Sequence, residues 1–303
     1  MADHPNSTAD TASSDDALSI EEVNDLTGQG FLELFGSVYE HAPWVMADAW
    51  RHRPFAHRDE LYFASALAID AAPRQERLDI VAGHPELARP DLNEGTLTAS
   101  SQHEQKSAGL LDIASAAKEE LNDLAEEYRA RHGFPGVVCV REHTQTESIV
   151  REIRWRIGRS TRQEFRTSLD EVKKIARRRI HSRVLPPPDH GGYLTTHVLD
   201  TANGTPGAGL GYDVFAVRDG QSAPLCSGYT DSDGRSTGAV LSAGNFQPGE
   251  YRITFRVAEY YGDGFDRRYF HEVPLQFVVD RPEEHYHVPL IVSRWGFTTY
   301  RGS

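Results

Sequence analysis

The spacing of apolar residues changes once along the 303-residue chain, and that change limits what the chain can fold into. Before residue 185, apolar positions recur three and four residues apart, as on helices that bury one face. Phe31, Leu34, Phe35 and Val38 form one such set, Leu61, Ala64, Leu67 and Ala68 a second. Leu110, Ala114, Ala117, Leu121, Leu124 and Tyr128 form a longer one, closed by Gly133-Phe134-Pro135, and Phe165, Leu169, Val172 and Ala176 a fourth. Beyond residue 192 the pattern is of short alternating runs: Tyr193–Asp200, Tyr212–Arg218, Tyr251–Tyr260, Val273–Val279 and His287–Val292. Turn signals separate them, among them Asn203-Gly204, Asp219-Gly220, Asp233-Gly234 and Gly262-Asp263-Gly264, as in an antiparallel sandwich. The proline step and glycine pair of Leu185-Pro186-Pro187-Pro188-Asp189-His190-Gly191-Gly192 lie between the two regimes and read as a linker. The expectation is a multidomain α and β chain: a disordered acidic tail over 1–18, an all-α helical domain over 19–183, a linker over 184–192 and an antiparallel β-sandwich over 193–303.

Local signals refine this division. Asp3, Asp10, Asp15 and Asp16 punctuate a Ser/Thr/Ala-rich start with no Lys or Arg before Arg51, a composition too polar to offset its ordering entropy. Ser19 with Glu22, and Ser160 with Gln163, read as capping boxes. Val137–Val140 is a short apolar run that predicts an extended piece in the helical half. Lys173, Lys174, Arg177, Arg178, Arg179 and Arg183 make the end of the last helix basic, which suits the negative end of its dipole.

A net charge of -13 excludes a general nucleic-acid binder, which needs a concentrated basic face. Cys139 and Cys226 are the only cysteines, far apart and outside any zinc spacing, so a reducing compartment is expected. The start lacks the basic and apolar regions of a secretory signal, and no window is apolar for long enough to span a membrane. The expected location is the cytoplasm, and no cofactor motif is present.

In the β half, His197, Arg235 after the turn Thr230–Gly234, and His287 stand beside strand or turn signals. Hydrolysis of a strained cyclic amide needs a base for water, a cation for the oxyanion and a group that orients both, and these residue types meet that requirement. Taken singly, each is more simply a structural or solvated residue. His285-x-His287 is an alternative metal chelate, although no third ligand is evident. The motifs Leu194-Thr195-Thr196-His197-Val198-Leu199-Asp200-Thr201-Ala202, Asp233-Gly234-Arg235, Tyr286-His287-Val288-Pro289-Leu290 and the closing Tyr300-Arg301-Gly302-Ser303 occur in the order found in 5-hydroxyisourate hydrolases, and the second half resembles that transthyretin-related family. The resemblance implies a transthyretin-like sandwich assembling as a homo-oligomer, a tetramer, with its site at a subunit interface. It further implies His197, Arg235, His287 and Ser303 as catalytic residues and Tyr300 as a substrate contact; which histidine is the base stays open.

In the helical half, His84-Pro85-Glu86-Leu87 follows a loop signal and Ser101-x-x-Glu104-Gln105 opens the long helix. A histidine with a carboxylate can deliver a proton where a carbanion develops, and Ser and Gln can hold a polar heterocycle; the plainer reading of Ser101 with Glu104 is a capping box. With Glu40-His41-Ala42-Pro43-Trp44 and Gly133-Phe134-Pro135, these motifs resemble 2-oxo-4-hydroxy-4-carboxy-5-ureidoimidazoline (OHCU) decarboxylases over residues 26–180. That resemblance implies His84 and Glu104 as an acid/base pair that needs no cofactor. It implies Pro85, Ser101, Gln105 and the backbone at Val138 as substrate contacts, and a carboxylate-binding arginine at Arg179, with Arg178 and Arg156 as competitors. Gly136 stands where that family commonly carries a phenylalanine.

The two resemblances fit together, because the hydrolase product is the decarboxylase substrate. They imply a bifunctional allantoin synthase of urate breakdown that acts on two small molecules, 5-hydroxyisourate and OHCU, with neither nucleic acid nor membrane as partner and with possible dimer contacts between decarboxylase domains. A transthyretin-like carrier with a helical interaction module, or a chain that retains one activity, is the alternative.

Overall fold

The computed structural model describes residues 17–85, 115–143, 146–262 and 269–302. In the first half these form α1 (Ile20–Asp25), α2 (Gly28–Phe35), α3 (Pro43–Trp50), α4 (Arg58–Ala71), α5 (Arg74–Ala82), α6 (Ser115–His132), α7 (Thr146–Ile157) and α8 (Thr161–His181). Both capping boxes form. Ser19 Oγ accepts from the Glu22 N–H while the Glu22 carboxylate accepts from the Ser19 N–H, and Ser160 and Gln163 do the same for α8. Gly133 ends α6 at φ +83°, where a side chain would be strained.

Val137–Val140 corrects an expectation, since no strand forms there. The run is buried irregular chain leading into a 3-10 turn at Val140–Glu142, because no neighbouring strand offers it a ladder. The start of the expected long helix, Leu110 and Ala114, lies outside the described residues, as does the acidic tail up to residue 16. Leu18 pairs with Val184 as a parallel bridge, so the chain on either side of the helical half is drawn together.

The second half contains β1 (Tyr193–Asp200), β2 (Thr205–Pro206), β3 (Gly211–Arg218), β4 (Gln221–Tyr229), β5 (Leu241–Ser242), β6 (Gly249–Phe255), α9 (Val257–Tyr261), β7 (Val273–Val279), β8 (His285–Val292) and β9 (Phe297–Thr299). One sheet has the order β2-β1-β8-β9 with β5 also on β1; the other runs β4-β3-β6-β7. Every pairing is antiparallel except β1 with β8, which run parallel in the register Thr195↔His287 and His197↔Pro289. The expected strand through Tyr260 stops at Phe255, and α9 follows. Asp200 holds α9 to the end of β1 by accepting from the Tyr260 and Tyr261 hydroxyls at 3.1 and 3.0 Å, while the N–H groups of Ala202 and Asn203 also donate to it. These donors hold its carboxyl below the usual carboxylate range although burial opposes them.

The two halves meet along α8 and β4. The Tyr62 hydroxyl on α4 donates to Pro224 O on β4. Lys174, almost wholly buried on α8, donates to Ser227 Oγ at 2.7 Å and to the Glu142 carboxylate at 3.1 Å, and pairs with Glu171 at 2.5 Å. Glu142 also accepts the Ser227 N–H at 2.9 Å. A second bridge joins Glu152 on α7 to Arg256 at 3.9 Å, and Arg256 pairs with Glu259 on α9 at 3.0 Å. Arg58 donates to Asn245 and to the Val184 carbonyl. The basic end of α8 is therefore mostly internal, and each of these cations is matched by a carboxylate or carbonyl.

Replacing Lys174 by Met should strand Glu142 and Glu171 in the interface and cost about 3–5 kcal/mol in urea unfolding. Glu142→Gln keeps its hydrogen bonds and should cost markedly less; equal losses would show that the ammonium does not neutralise the pair.

Candidate active sites

In the β half, alternation places the site on one sheet face. Leu194, Thr196, Val198 and Asp200 of β1 point into the sandwich, so Thr195 and His197 point out. On the parallel neighbour β8, His285 and His287 point out likewise. Arg235 is brought to His197 by a tight turn. The Asp231 carboxylate accepts the N–H groups of Asp233 and Arg235 at 2.9 Å each, and Gly234 sits at φ +76°, where an added Cβ would lie 2.4 Å from Val198 O. His197 and Arg235 then pair as an isolated antiparallel bridge.

His197 Nε2 donates to Asp233 O at 3.0 Å, and the His197 and His287 rings lie 6.4 Å apart, so His197, Arg235 and His287 are brought together. Thr195 Oγ1 stands between His285 Nε2 at 2.7 Å and His287 Nδ1 at 2.8 Å. Burial, followed by the facing His285, His197 and Arg235, lowers the His287 pKa and favours its neutral form. Among the described residues no group of three His, Cys, Asp or Glu side chains is placed to hold a metal.

The tail returns along this face. β9 pairs antiparallel with β8, Arg301 pairs with Glu284 and lies over the Tyr286 ring, and the Gly302 N–H donates to His287 O at 2.9 Å. A Cβ on Gly302 would fall 2.5 Å from His287 Cδ2, so only glycine permits this approach. Tyr300 is 55% exposed, open to a ligand or a neighbouring subunit. Ser303 lies outside the described residues.

In the helical half, His84 follows α5 with Pro85 beside it, and Arg179 comes from the last turn of α8. Arg179 is buried, pairs with Glu40 at 3.1 Å and donates to Val38 O at 3.1 Å. His84 Nδ1 is sealed from solvent with no partner among the described residues. Burial first, then the Arg179 charge, lowers the His84 pKa to about 4 against the opposing pull of Glu40, so its ring is neutral at pH 7.

The competing arginines are engaged elsewhere. Arg178 points outward and donates to Arg141 O. Arg156 is fully buried, its donors directed to Glu164, Val137 O, Glu152, Tyr128 and Ser168. Arg156 thereby fixes the Val137 carbonyl while Glu171 accepts the Cys139 N–H at 2.7 Å, which clamps the backbone on either side of Val138. No hydrogen bond among the described residues uses the Val138 N–H or C=O. At Gly136 an added Cβ would meet Ile153 at 3.2 Å and Tyr128 at 3.3 Å, so the Tyr128 ring fills the space that a larger residue would need. Ser101, Glu104 and Gln105 lie outside the described residues.

A separate cleft of about 1440 Å³ between the halves, lined by Arg77, Asp170, Lys173, Asp213 and Arg252 among others, includes neither His84 nor the His197–His287 set.

Residues 24–181 match the OHCU decarboxylase family, and residues 194–302 match the HIUase/Transthyretin family. A 2-oxo-4-hydroxy-4-carboxy-5-ureidoimidazoline decarboxylase of Amia calva is 38% identical over 175 residues, which is 57% of this chain and 98% of that protein. A 5-hydroxyisourate hydrolase of Deinococcus radiodurans is 41% identical over 114 residues, covering 36% of this chain and 95% of that one. The chain belongs to both families. A crystal structure of (S)-allantoin synthase aligns with 94% of this chain and 100% of its own at 27% identity and a TM-score of 0.48. His84 and Arg179 thus fall within the decarboxylase-family half, and His197, Arg235 and His287 within the HIUase/transthyretin half.

Sequence reading missed Thr195 and His285 as partners of His287. The same-face spacing of His285 and His287 was visible, but the parallel register that inserts Thr195 between them joins residues about 90 positions apart. Removing Arg179 should raise the midpoint of His84: in Arg179→Met the cation that disfavours imidazolium is gone, so the NMR titration of His84 should move upward from about 4. An unmoved midpoint would mean that burial alone sets it.

Proposed function

We infer that the chain is a bifunctional enzyme of urate breakdown, hydrolysing 5-hydroxyisourate in the HIUase/transthyretin half and decarboxylating the product, OHCU, to (S)-allantoin in the decarboxylase half. The observation that carries this is the match of two separate halves to families whose reactions are consecutive, each half with its own histidine-centred cluster. We take the boundary between the two units to lie in the 184–192 linker.

In the hydrolase, one of His197 and His287 takes a proton from water, Arg235 stabilises the oxyanion that forms on the attacked carbonyl, and the other histidine, Ser303 and Tyr300 complete the polar wall. In the decarboxylase, Arg179 binds the substrate carboxylate, while Pro85, Ser101, Gln105 and the Val138 backbone hold the ring. Loss of carbon dioxide leaves an electron pair that the conjugated ring accepts, and the His84 and Glu104 pair delivers the proton. The clamped Val138 backbone, which no hydrogen bond among the described residues uses, and the place of His84 beside Arg179 support this assignment.

The assembly is a homo-oligomer, proposed as a tetramer through the transthyretin-like half, with decarboxylase-domain contacts in addition. Exposed Val278, Trp295, Phe297 and Tyr300 on that half support a subunit interface. No helix among the described residues is long and apolar enough to cross a membrane. Free Cys139 and Cys226 suit the reducing cytoplasm, where the enzyme is placed.

The test is a coupled assay from fresh 5-hydroxyisourate, with absorbance following ring opening and circular dichroism following (S)-allantoin. His197→Ala should slow the first step by roughly 10²-fold or more and spare decarboxylation of supplied OHCU; His84→Ala should do the reverse. A carrier would leave both steps at their spontaneous rates.

A further inference from the structure

Behind His287 lies an arrangement that the hydrolytic roles above do not use. Thr195 Oγ1 is within hydrogen-bond distance of two imidazoles, His287 Nδ1 at 2.8 Å and His285 Nε2 at 2.7 Å. One hydroxyl has one proton, so it donates to at most one of the two rings, and at least one of the two facing ring nitrogens carries a proton toward it. The tautomers of the two histidines are therefore coupled. His285 is fixed from its other side by stacking on Tyr193, with ring centroids 4.3 Å apart.

His197 differs. Its Nε2 meets the Asp233 carbonyl, which only accepts, so that nitrogen keeps its proton and has no onward path.

We propose that His285 and Thr195 are positioning residues that form a proton relay behind His287 and make His287, rather than His197, the general base of the hydrolase. This rests on the hydrolase reading of the β half. In the resting state the Thr195 hydroxyl donates to His285 Nε2 and His287 Nδ1–H donates to Thr195, which leaves the His287 Nε2 lone pair free. As the water oxygen bonds to the substrate carbonyl carbon, the water proton moves to His287 Nε2. The Nδ1 proton passes to Thr195 and the Thr195 proton to His285 Nε2, so the positive charge resides on His285, away from Arg235. The reverse transfer returns the proton to the leaving nitrogen as the carbon–nitrogen bond breaks. No net proton or electron is consumed.

Electrostatics favour this division. The groups facing His287 are His197 from β1, Arg235 from the turn before Ser236 and His285 on its own strand, all cationic when charged. A charge retained on His287 would face Arg235, whereas His285 lies one residue pair further along the strands, at the exposed Tyr193 end.

The test uses the full chain. With 15N-labelled histidine, NMR at neutral pH should show His287 as the Nδ1–H tautomer; an Nε2–H tautomer overturns the relay. Thr195→Val should lower kcat for 5-hydroxyisourate by about 10-fold to 100-fold with KM little changed, and Thr195→Ser should restore it. His285→Phe keeps the stack on Tyr193, should lower kcat similarly, and should move the acid limb of the kcat profile to higher pH, because a ring that disfavours a proton on His287 whenever it is itself protonated is gone. A merely electrostatic role of His285 would move that limb and leave the kcat plateau unchanged. If the unaltered protein fails to accelerate ring opening, the hydrolase reading itself falls. If it does so while Thr195→Val and His285→Phe keep its kcat and pH profile, only the relay is overturned.

Discussion

The buried ammonium of Lys174 is the contact on which the rest of the molecule depends. An ion of that size out of water costs several kcal/mol unless its partners are fixed, and its partners come from three places: Glu171 on its own helix, Glu142 on the turn after the Val137–Val140 run, and Ser227 on β4. Satisfying Lys174 therefore sets the position of α8 against the sandwich. It also holds the turn that follows Val138, since Glu171 accepts the Cys139 N–H while Lys174 neutralises Glu171. The raised pKa of Glu142, caused first by burial, shows the cost of this placement. Packing between the halves and the path of the chain around Val138 are one problem with one solution.

The hydrolase half relies on backbone geometry instead. A parallel pair in an otherwise antiparallel sandwich puts Thr195 opposite His287 and His197 opposite Pro289, so side chains from the first and last long strands share a face. Three close approaches complete the site, and each needs a missing side chain or a caged turn: Gly234 against Val198, Gly302 against His287, and the Asp231 cage that aims Arg235. Little of this depends on burial energy. It depends on sterics, which explains why the surrounding residues can stay polar and half-exposed.

What was legible in the sequence was local. Ser19 with Glu22 and Ser160 with Gln163 announce their helices because a capping box closes within three residues, and β1 and β7 have the residues expected from alternation. β4 was missed because Gln221–Tyr229 does not alternate: it packs on α8 with one face, carries Pro224, and pairs with β3 through an irregularity at Val214/Phe215. The alternating run Tyr251–Tyr260 continues past Phe255 in sequence, but from Val257 its β-like residues form a single helical turn held from outside by Asp200. Among the site residues, His84, His197, Arg235 and His287 stood out by type and motif. The Thr195 hydroxyl beside His287 and the Asp233 carbonyl beside His197 did not, since each is joined to its histidine by folding rather than by spacing. The basic end of α8 reads in the sequence as a complement to the helix dipole, and only the structure reveals the carboxylates that face it.

The order of the two halves matters during synthesis. Tyr62, Lys174 and Arg177 leave the ribosome well before Pro224, Leu225 and Ser227, the β4 residues they meet. The helical half has its own carboxylates for Lys174 and Arg177, namely Glu142, Glu171 and Asp59, so these charges have partners before β4 exists. The α8 residues that await β4 include the charged Lys174 and Arg177, a surface less prone to aggregation in an unfinished chain than an apolar one.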